Sequence, residues 1–551
     1  DAVLGLRPPS ECGDLDAVRL SYRSFDDPAI SEAVEAIRRE LDRAEAHKLA
    51  GRYKEARALA DGLAERAQAT AFDPLIAELG ALRGDLARLS DDEAAPQLLH
   101  GALEAAIRAD HPRLAATASI SLAAYLTMHD RRDEAARWLD LADAWLGERG
   151  DLSTRLSALL WRARVLRHFD RQAEADALLA RGLELAEPLG RWSAPRLELL
   201  LERAQLSVDT LDLAKIQANG GEALALLDEI YGPGHPESAD ALSALGIAAL
   251  NRDRMDEAEA FTRRALEIRR QSFGDHNQLV AQSLVNLASI HQDRGDHAET
   301  LRLLDEARAI VVETLGADHS LIAKIENNRG SALKQLGRHE ESLRALERAI
   351  EIRRERPEGG LYAPLLNLAM SEYELGNKLT CDGDKAGARR RYDDGVAHAR
   401  EAVADVLALR GPDHPHVGIV FTSLGLTLSA VGDHEGALEA FRRALALVER
   451  TLGEGSSEAV FPNLGIGRAL VELGRPDEAL VHLERARAIG IFSGQKSLPH
   501  EIDYERARAL WATGERAEAI ELARSAAAFF SEAECSDARE WLAAHDPERR
   551  R

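Results

Sequence analysis

The chain is short of several residue types, and each shortage removes a class of protein. Cysteine is rare: Cys12, Cys381 and Cys535 stand far apart in 551 residues, odd in number and without a CxxC pair. That spacing excludes a disulfide scaffold and a cysteine-based zinc site, and predicts ordinary thiols. Aromatic residues make up only 5%, and no stretch alternates Val, Ile, Thr and aromatics with polar residues, so strands are not expected. No run approaches the roughly eighteen apolar residues that a membrane span requires, and no signal-peptide pattern opens the chain. Positive charge is also scarce, with 70 Lys and Arg against 94 Asp and Glu, a formal charge of −24. Such a balance repels nucleic acid, whose phosphates need a concentrated basic surface. Lysine is sparse beside arginine and alanine is abundant, the bias of a GC-rich bacterial genome. The chain starts at Asp1 without an initiator methionine, which predicts a segment cut from a longer polypeptide.

What is plentiful is Ala, Leu, Glu and Arg, all strong helix formers, while the 18 prolines fall mostly between segments. A length of 551 residues exceeds one compact core, so several domains or an elongated array are expected. Periodicity decides for the array. The stretch "HPESADALSALGIAALNRDRMDEAEAFTRRALEIRRQSFG" is followed by "HNQLVAQSLVNLASIHQDRGDHAETLRLLDEARAIVVETLG" and "HSLIAKIENNRGSALKQLGRHEESLRALERAIEIRRE", and a fourth copy begins at His414. Gly295 and Gly337 are 42 residues apart, as are Gly432 and Gly474.

Each unit reads as two antiparallel helices. Leu284, Leu287, Ala288 and His291 share one face of a first helix. A turn follows at Gly295, and a second helix presents Ala298, Leu301, Leu304 and Ala307 inward. Small residues such as Gly246, Ala258, Ala265, Gly425, Ala437 and Ala444 recur where two helices approach closely. One hairpin cannot bury its apolar face alone, so stacked neighbours must supply the core. In one irregular unit the stretch "NKLTCDGDKAG" after Gly376 is expected to lengthen the first helix or its turn.

These repeats resemble the tetratricopeptide repeat, and from about residue 232 to 490 the longer form found in kinesin light chains, with loops "GPGHPES" and "GPDHPHV". The resemblance implies an all-α, right-handed superhelical solenoid of roughly twelve hairpins with a C-terminal capping helix. Residues 1–34 would be a leading segment or linker, and 35–231 degenerate hairpins. Residues 232–490 would hold the regular repeats, and 491–551 a terminal hairpin and capping helix. The segment "ECGDLDAVRLSYRSFDDPAISEAVEAIRRE" and the closing "YERARALWATGERAEAIELARSAAAFFSEAECSDAREWLAAHD" are similar to the flanks of such arrays in serine/threonine protein kinases of myxobacteria and related bacteria. In those proteins the catalytic domain lies N-terminal to the repeats.

Catalytic motifs are not found. There is no Gly-rich phosphate loop, no HExxH and no kinase signature set, and "MHDRRD" at Met128 to Asp133 lacks the Asn that a catalytic loop carries after its Asp. The chain is therefore read as a non-enzyme without cofactor or metal. His235, His276, His319 and His414 lie in equivalent loops, too far apart for one zinc, and are read as turn and cap residues.

The suggestive residues are asparagines. Asn286, Asn328 and Asn367 each precede a glycine by nine residues, Gly295, Gly337 and Gly376, all three taken as turn glycines. The kinesin light-chain resemblance implies that this first-helix face lines a concave groove. There an amide side chain would bond the backbone of an extended peptide. Gln282, Ser289, Lys324 and Ser331 lie one turn away on the same surface. Ser423 and Ala244 occupy the place in other units, so the row is incomplete. The expected function is a protein-interaction scaffold binding protein or peptide partners, the cytoplasmic C-terminal arm of a bacterial serine/threonine kinase. It would make no direct contact with membrane or nucleic acid. Two alternatives are a ligand- or peptide-sensing region of a transcriptional or signalling regulator, and a structural role through self-association.

Overall fold

The computed structural model describes residues 28–49, 52–89, 92–129, 131–147, 152–168, 171–210, 212–355, 360–453, 455–490, 497–529 and 537–546. Among the described residues every regular element is a helix and none is a strand, as the composition requires. The chain divides into two compact units, residues 1–294 and 295–551.

In the first unit Pro28–Leu49 packs on Tyr53–Gly62, Asp73–Leu89 on Ala95–Arg108, and Pro112–Met128 on Arg132–Leu146. Leu152–His168 then packs on Gln172–Ala186, Ala194–Asp209 on Gly221–Tyr231, and Ser238–Leu250 on Met255–Phe273. Gln278–Asp293 closes the unit. The second unit opens with His297–Leu315 and pairs Ser320–Gln335 with His339–Glu355, Tyr362–Cys381 with Lys385–Arg410, and Pro415–Ala430 with His434–Leu452. Val460–Glu472 with Pro476–Gly490 and Leu498–Thr513 with Arg516–Phe529 follow, and Asp537–His545 packs on the last of these as a cap. Within each unit successive first helices also touch one another, so each hairpin covers the apolar face its neighbour leaves open.

The repeat pattern works through close approach of the paired helices. A Cβ on Gly330 would stand 2.4 Å from Leu346, one on Gly425 2.6 Å from the Phe441 ring, and one on Gly467 2.5 Å from Leu483. In each case the neighbour is sixteen residues along, directly across the hairpin. Ala258, Ala265, Ala437 and Ala444 are fully buried, as are Leu304 and Ala307. Ala298 departs from the expectation and is exposed. Thr300, one turn before Leu304, takes the inner place and bonds its hydroxyl to the Asp296 carbonyl at 2.9 Å.

The turns carry the backbone cost. Gly295 and Gly432 adopt φ of 81° and 83°, whereas 42 residues before Gly295 the non-glycine Asp253 sits at φ 59°. Three of the four loop histidines act as anticipated at helix starts, whereas beside His276 the cap is Asn277, whose Oδ1 accepts from the Leu279 amide at 2.8 Å. The Nδ1 of His319 accepts from the Leu321 amide at 3.1 Å, that of His414 from His416 at 3.2 Å, and that of His235 from Glu237 at 3.4 Å.

Two expectations are corrected. Gly376 is not a turn glycine: it lies buried inside Tyr362–Cys381, where a Cβ would meet the Tyr392 ring at 2.5 Å. It is the counterpart of Gly330, and the turn comes seven residues later at Gly383, with φ 85°. Both helices of this repeat are long: Tyr362–Cys381 has 20 residues where Ser320–Gln335 and Pro415–Ala430 have 16, as expected of the first helix, and Lys385–Arg410 has 26 where His434–Leu452 has 19. Seven residues are close to two helical turns, so the buried stripe through Val396, Ala399, Ala402 and Val406 stays in register. The second correction is Cys381, which is disulfide-bonded and not a plain thiol. Separation along the chain does not fix separation in space. Cys12 and Cys535 lie outside the described residues.

Candidate functional site

The residues singled out by sequence fall into both units. Gln282, Asn286 and Ser289 belong to the first unit, and Lys324, Asn328, Ser331 and Asn367 to the second.

In the first unit all three lie half-buried on Gln278–Asp293. The Gln282 side-chain amide donates to the Asn286 Oδ1 at 3.1 Å, one turn along. Ser289 turns back on its own helix and donates to the Val285 carbonyl at 3.2 Å, so it offers a ligand little.

In the second unit the amides join. Asn367 Nδ2 donates to Asn327 Oδ1 at 3.0 Å, and Asn327 Nδ2 donates to Asn328 Oδ1 at 3.2 Å. The link crosses from Tyr362–Cys381 to Ser320–Gln335, two first helices packed side by side. Asn367 gets there by a different geometry than the sequence spacing implied. Asn328 precedes its close-approach residue Gly330 by two, whereas Asn367 precedes Gly376 by nine. The seven-residue difference is about two turns, so Asn367 keeps the same face of its helix further toward the N-terminus. Glu374 occupies the place matching Asn328, and its carboxylate stands 3.5 Å from Lys334. Lys324 is exposed on the same helix as Asn328, and Ser331 is half-buried.

Asn327 was missed by the sequence reading, although it is the centre of the chain of amides. Its neighbour Asn328 fitted the repeat spacing and Asn327 did not. The doubled amide in "IENNRG" was the available signal. The helix is oriented by ion pairs on another side. Glu326, 3% exposed, accepts from Arg308 at 2.6 Å and from Arg329 at 2.7 Å, and Arg329 also reaches Asp305 at 2.9 Å. With Glu326 held there, Asn327 and Asn328 remain half-buried at the helix surface.

The chain of amides has a direction. Each asparagine offers an NH2 donor and a carbonyl acceptor. Two bonds in series leave the Asn328 NH2 at one end and the Asn367 carbonyl at the other, both without a protein partner among the described residues. A backbone peptide unit, with one C=O and one N–H, complements those ends.

The tetratricopeptide repeat family model matches residues 196–278, 279–355, 386–450 and 431–491, and two further tetratricopeptide repeat models match 464–534 and 40–61. The chain belongs to the tetratricopeptide repeat family. A tetratricopeptide array of this kind is a non-catalytic interaction scaffold. Among solved structures it is similar to a Rap protein complexed with competence and sporulation factor, at 14% identity and TM-score 0.45, covering 76% of this chain and 98% of that one. The apo quorum sensor NprR from B. thuringiensis shares 13% identity at TM-score 0.48, with 68% of this chain and 97% of that chain covered. A kinesin light chain of P. anserina with TPR-like repeats shares 18% identity at TM-score 0.25, covering 48% and 99%. Among the described residues no helix is long and apolar enough to cross a membrane.

Proposed function

We propose that this tetratricopeptide scaffold holds an extended segment of a partner protein against the first helices of its second unit, with the peptide backbone bonded to the Asn328–Asn327–Asn367 chain. The observation that carries the reading is the directed row of amides, which ends in one free donor and one free acceptor. Lys324, beside the donor end, would favour an acidic side chain on the bound segment. Gln282 and Asn286 offer the same amide chemistry in the first unit.

The resemblance of the flanking segments supports placing this scaffold in the cytoplasm as the recruitment arm of a bacterial serine/threonine kinase. Determining the coding sequence upstream of Asp1 tests that placement, and a domain of another class there would overturn it. For the groove, the test is capture of partners from the native host with the full chain. Replacing Asn327, Asn328 and Asn367 by Ala should reduce recovery of the captured species at least tenfold while the helical circular dichroism is retained. Unchanged recovery with an intact fold would remove the groove assignment.

A further inference from the structure

In the hairpin of Leu152–His168 and Gln172–Ala186, leucine and arginine share one stripe of each helix. Leu152, Arg155, Leu156, Leu159 and Arg162 follow at helical spacing on the first, and Leu178, Arg181 and Leu185 on the second. With Asp143 and Leu146 from the end of Arg132–Leu146, the two stripes line a cleft of about 350 Å³. Leu146 is 6% exposed in one core cluster and Leu156 1% in the next, so the cleft follows the seam between two hairpins. Leu152, Leu159 and Leu178 are half-buried along it, while Leu185, Arg155 and Arg181 are exposed.

The charges of the cleft do not cancel. Asp143 accepts from Arg162 at 2.7 Å, and Arg162 also reaches Asp140 at 3.0 Å. Arg155 and Arg181 form no ion pair and no side-chain hydrogen bond among the described residues. In a chain of formal charge −24, this cleft keeps two uncommitted guanidinium groups beside leucines, and so complements an anion. We infer that it binds an aliphatic carboxylate, whose acid group is held by Arg155 and Arg181 and whose hydrocarbon body lies along the leucines.

The two halves of such a ligand need different surroundings, and the cleft supplies both. A guanidinium presents its N–H donors as a planar fork that matches a carboxylate, and two of them on neighbouring helices can share one. The volume is that of a small-molecule site, and leucine walls favour a chain of CH2 groups that leaves water. A peptide is a poorer fit. Apart from the arginines and the engaged Asp143, no side chain lining the cleft can form a hydrogen bond, so a backbone amide laid on the leucines would give up water without replacement. An alkyl chain has no such group to satisfy. The site lies in the first unit, uses none of the asparagines, and stands independently of the proposed peptide groove.

The test uses the full chain and octanoate, with octanamide as its uncharged counterpart and butyrate as its short one. Titration calorimetry at about 150 mM salt, where the Debye length is ~8 Å, suppresses long-range electrostatic effects. Octanoate should bind at least tenfold more tightly than either of the others. The double replacement Arg155→Gln, Arg181→Gln should abolish the preference over octanamide, whereas Arg344→Gln, Arg442→Gln, two exposed arginines elsewhere, should change affinity less than twofold. Leu185→Gln, at an exposed position, should weaken octanoate binding at least threefold while the helical circular dichroism is retained. Equal binding of octanoate and octanamide, equal losses in both arginine pairs, or no dependence on chain length would overturn the proposal. Tighter binding of acetyl-glycyl-leucine, whose carboxylate ends a peptide, would overturn it in favour of a chain terminus.

Discussion

The two units share one packing rule but present different chemistry on their first helices. In the first unit those helices carry ion pairs around the Trp161 indole, Arg164 with Glu202 and Arg88 with Asp85. In the second they carry a neutral, directed row of amides. The cores differ too. Buried residues in the first unit group hairpin by hairpin, Val34 to Leu86 and then Ala77 to Leu122, whereas in the second one cluster runs from Leu343 to Ala509. A repeat restricts only the positions where two helices touch. The remaining first-helix positions are free to acquire whatever recognition chemistry each unit needs.

The sharpest way to break the contrast in cores is Phe441→Ala. Phe441 is 1% exposed, and its ring fills the space left by Gly425 and Gly465, where added Cβ atoms would stand 2.6 and 2.5 Å away. The expected loss is about 3–5 kcal/mol, the usual range for deleting a buried aromatic ring. Because the cluster is continuous, the second unit should lose helical signal at lower denaturant while the first persists. A single unshifted transition would contradict the division of the cores. The next effect concerns Glu237, half-buried in the first unit at the start of Ser238–Leu250. With its folded carboxyl raised chiefly by burial to about 7, above the ordinary value of 4.5, Glu237 binds a proton in the native state that the unfolded chain has released. Its presence therefore costs stability as pH rises through that window, and the cost is complete above pH 7. Glu237→Gln should be indistinguishable from the unaltered chain near pH 4.5. By pH 8 it should be more stable, by on the order of 1–2 kcal/mol once its partial exposure to water is allowed for. Thermal midpoints across that pH range check it, and a constant difference would show that the charge is not the cause.

The fold was legible because it rests on contacts sixteen residues apart, which a 42-residue period repeats in plain view: Gly330 with Leu346, Gly425 with Phe441. Histidine caps rest on the same local kind of contact, as do the i,i+4 pairs Glu259–Arg263 and Glu439–Arg443, bonded at 2.7 and 2.5 Å. Glu340 and Arg344 stand at the same spacing without a bond to each other among the described residues, and the neighbouring Arg338 clasps Glu341 with bonds of 2.8 and 2.7 Å. Such local bonds recur at second-helix starts, with Arg131 on Glu134 and Arg475 on Glu478. The candidate positions were legible only in part. Spacing singles out Asn286, Asn328 and Asn367 as candidates, but the inference of equivalent places fails at Gly376, because one glycine serves equally well as a turn or as a close contact. The Asn327 bonds and the Arg88 and Arg164 contacts with Trp161 join helices distant in sequence, and no period announces them.

The smallest expected effect tests whether the row of amides is a unit. Asn327 both accepts from Asn367 and donates to Asn328, so removing it breaks two neutral hydrogen bonds. Both partners are half-buried and can turn to water, so Asn327→Ala should cost only about 0.5–1.5 kcal/mol. Magnitude alone cannot separate this from an ordinary surface substitution, but coupling can. If Asn327 and Asn367 act through their 3.0 Å bond, the double alanine variant should lose less than the sum of the singles, by about 0.5–1 kcal/mol. Asn327→Asp sharpens the point, because a carboxylate still accepts from Asn367 but cannot donate to Asn328. It should retain coupling to Asn367 and lose coupling to Asn328. Additive losses in every cycle would mean that the amides are independent surface residues, and the contrast between the charged and the neutral first-helix faces would then reduce to charge alone.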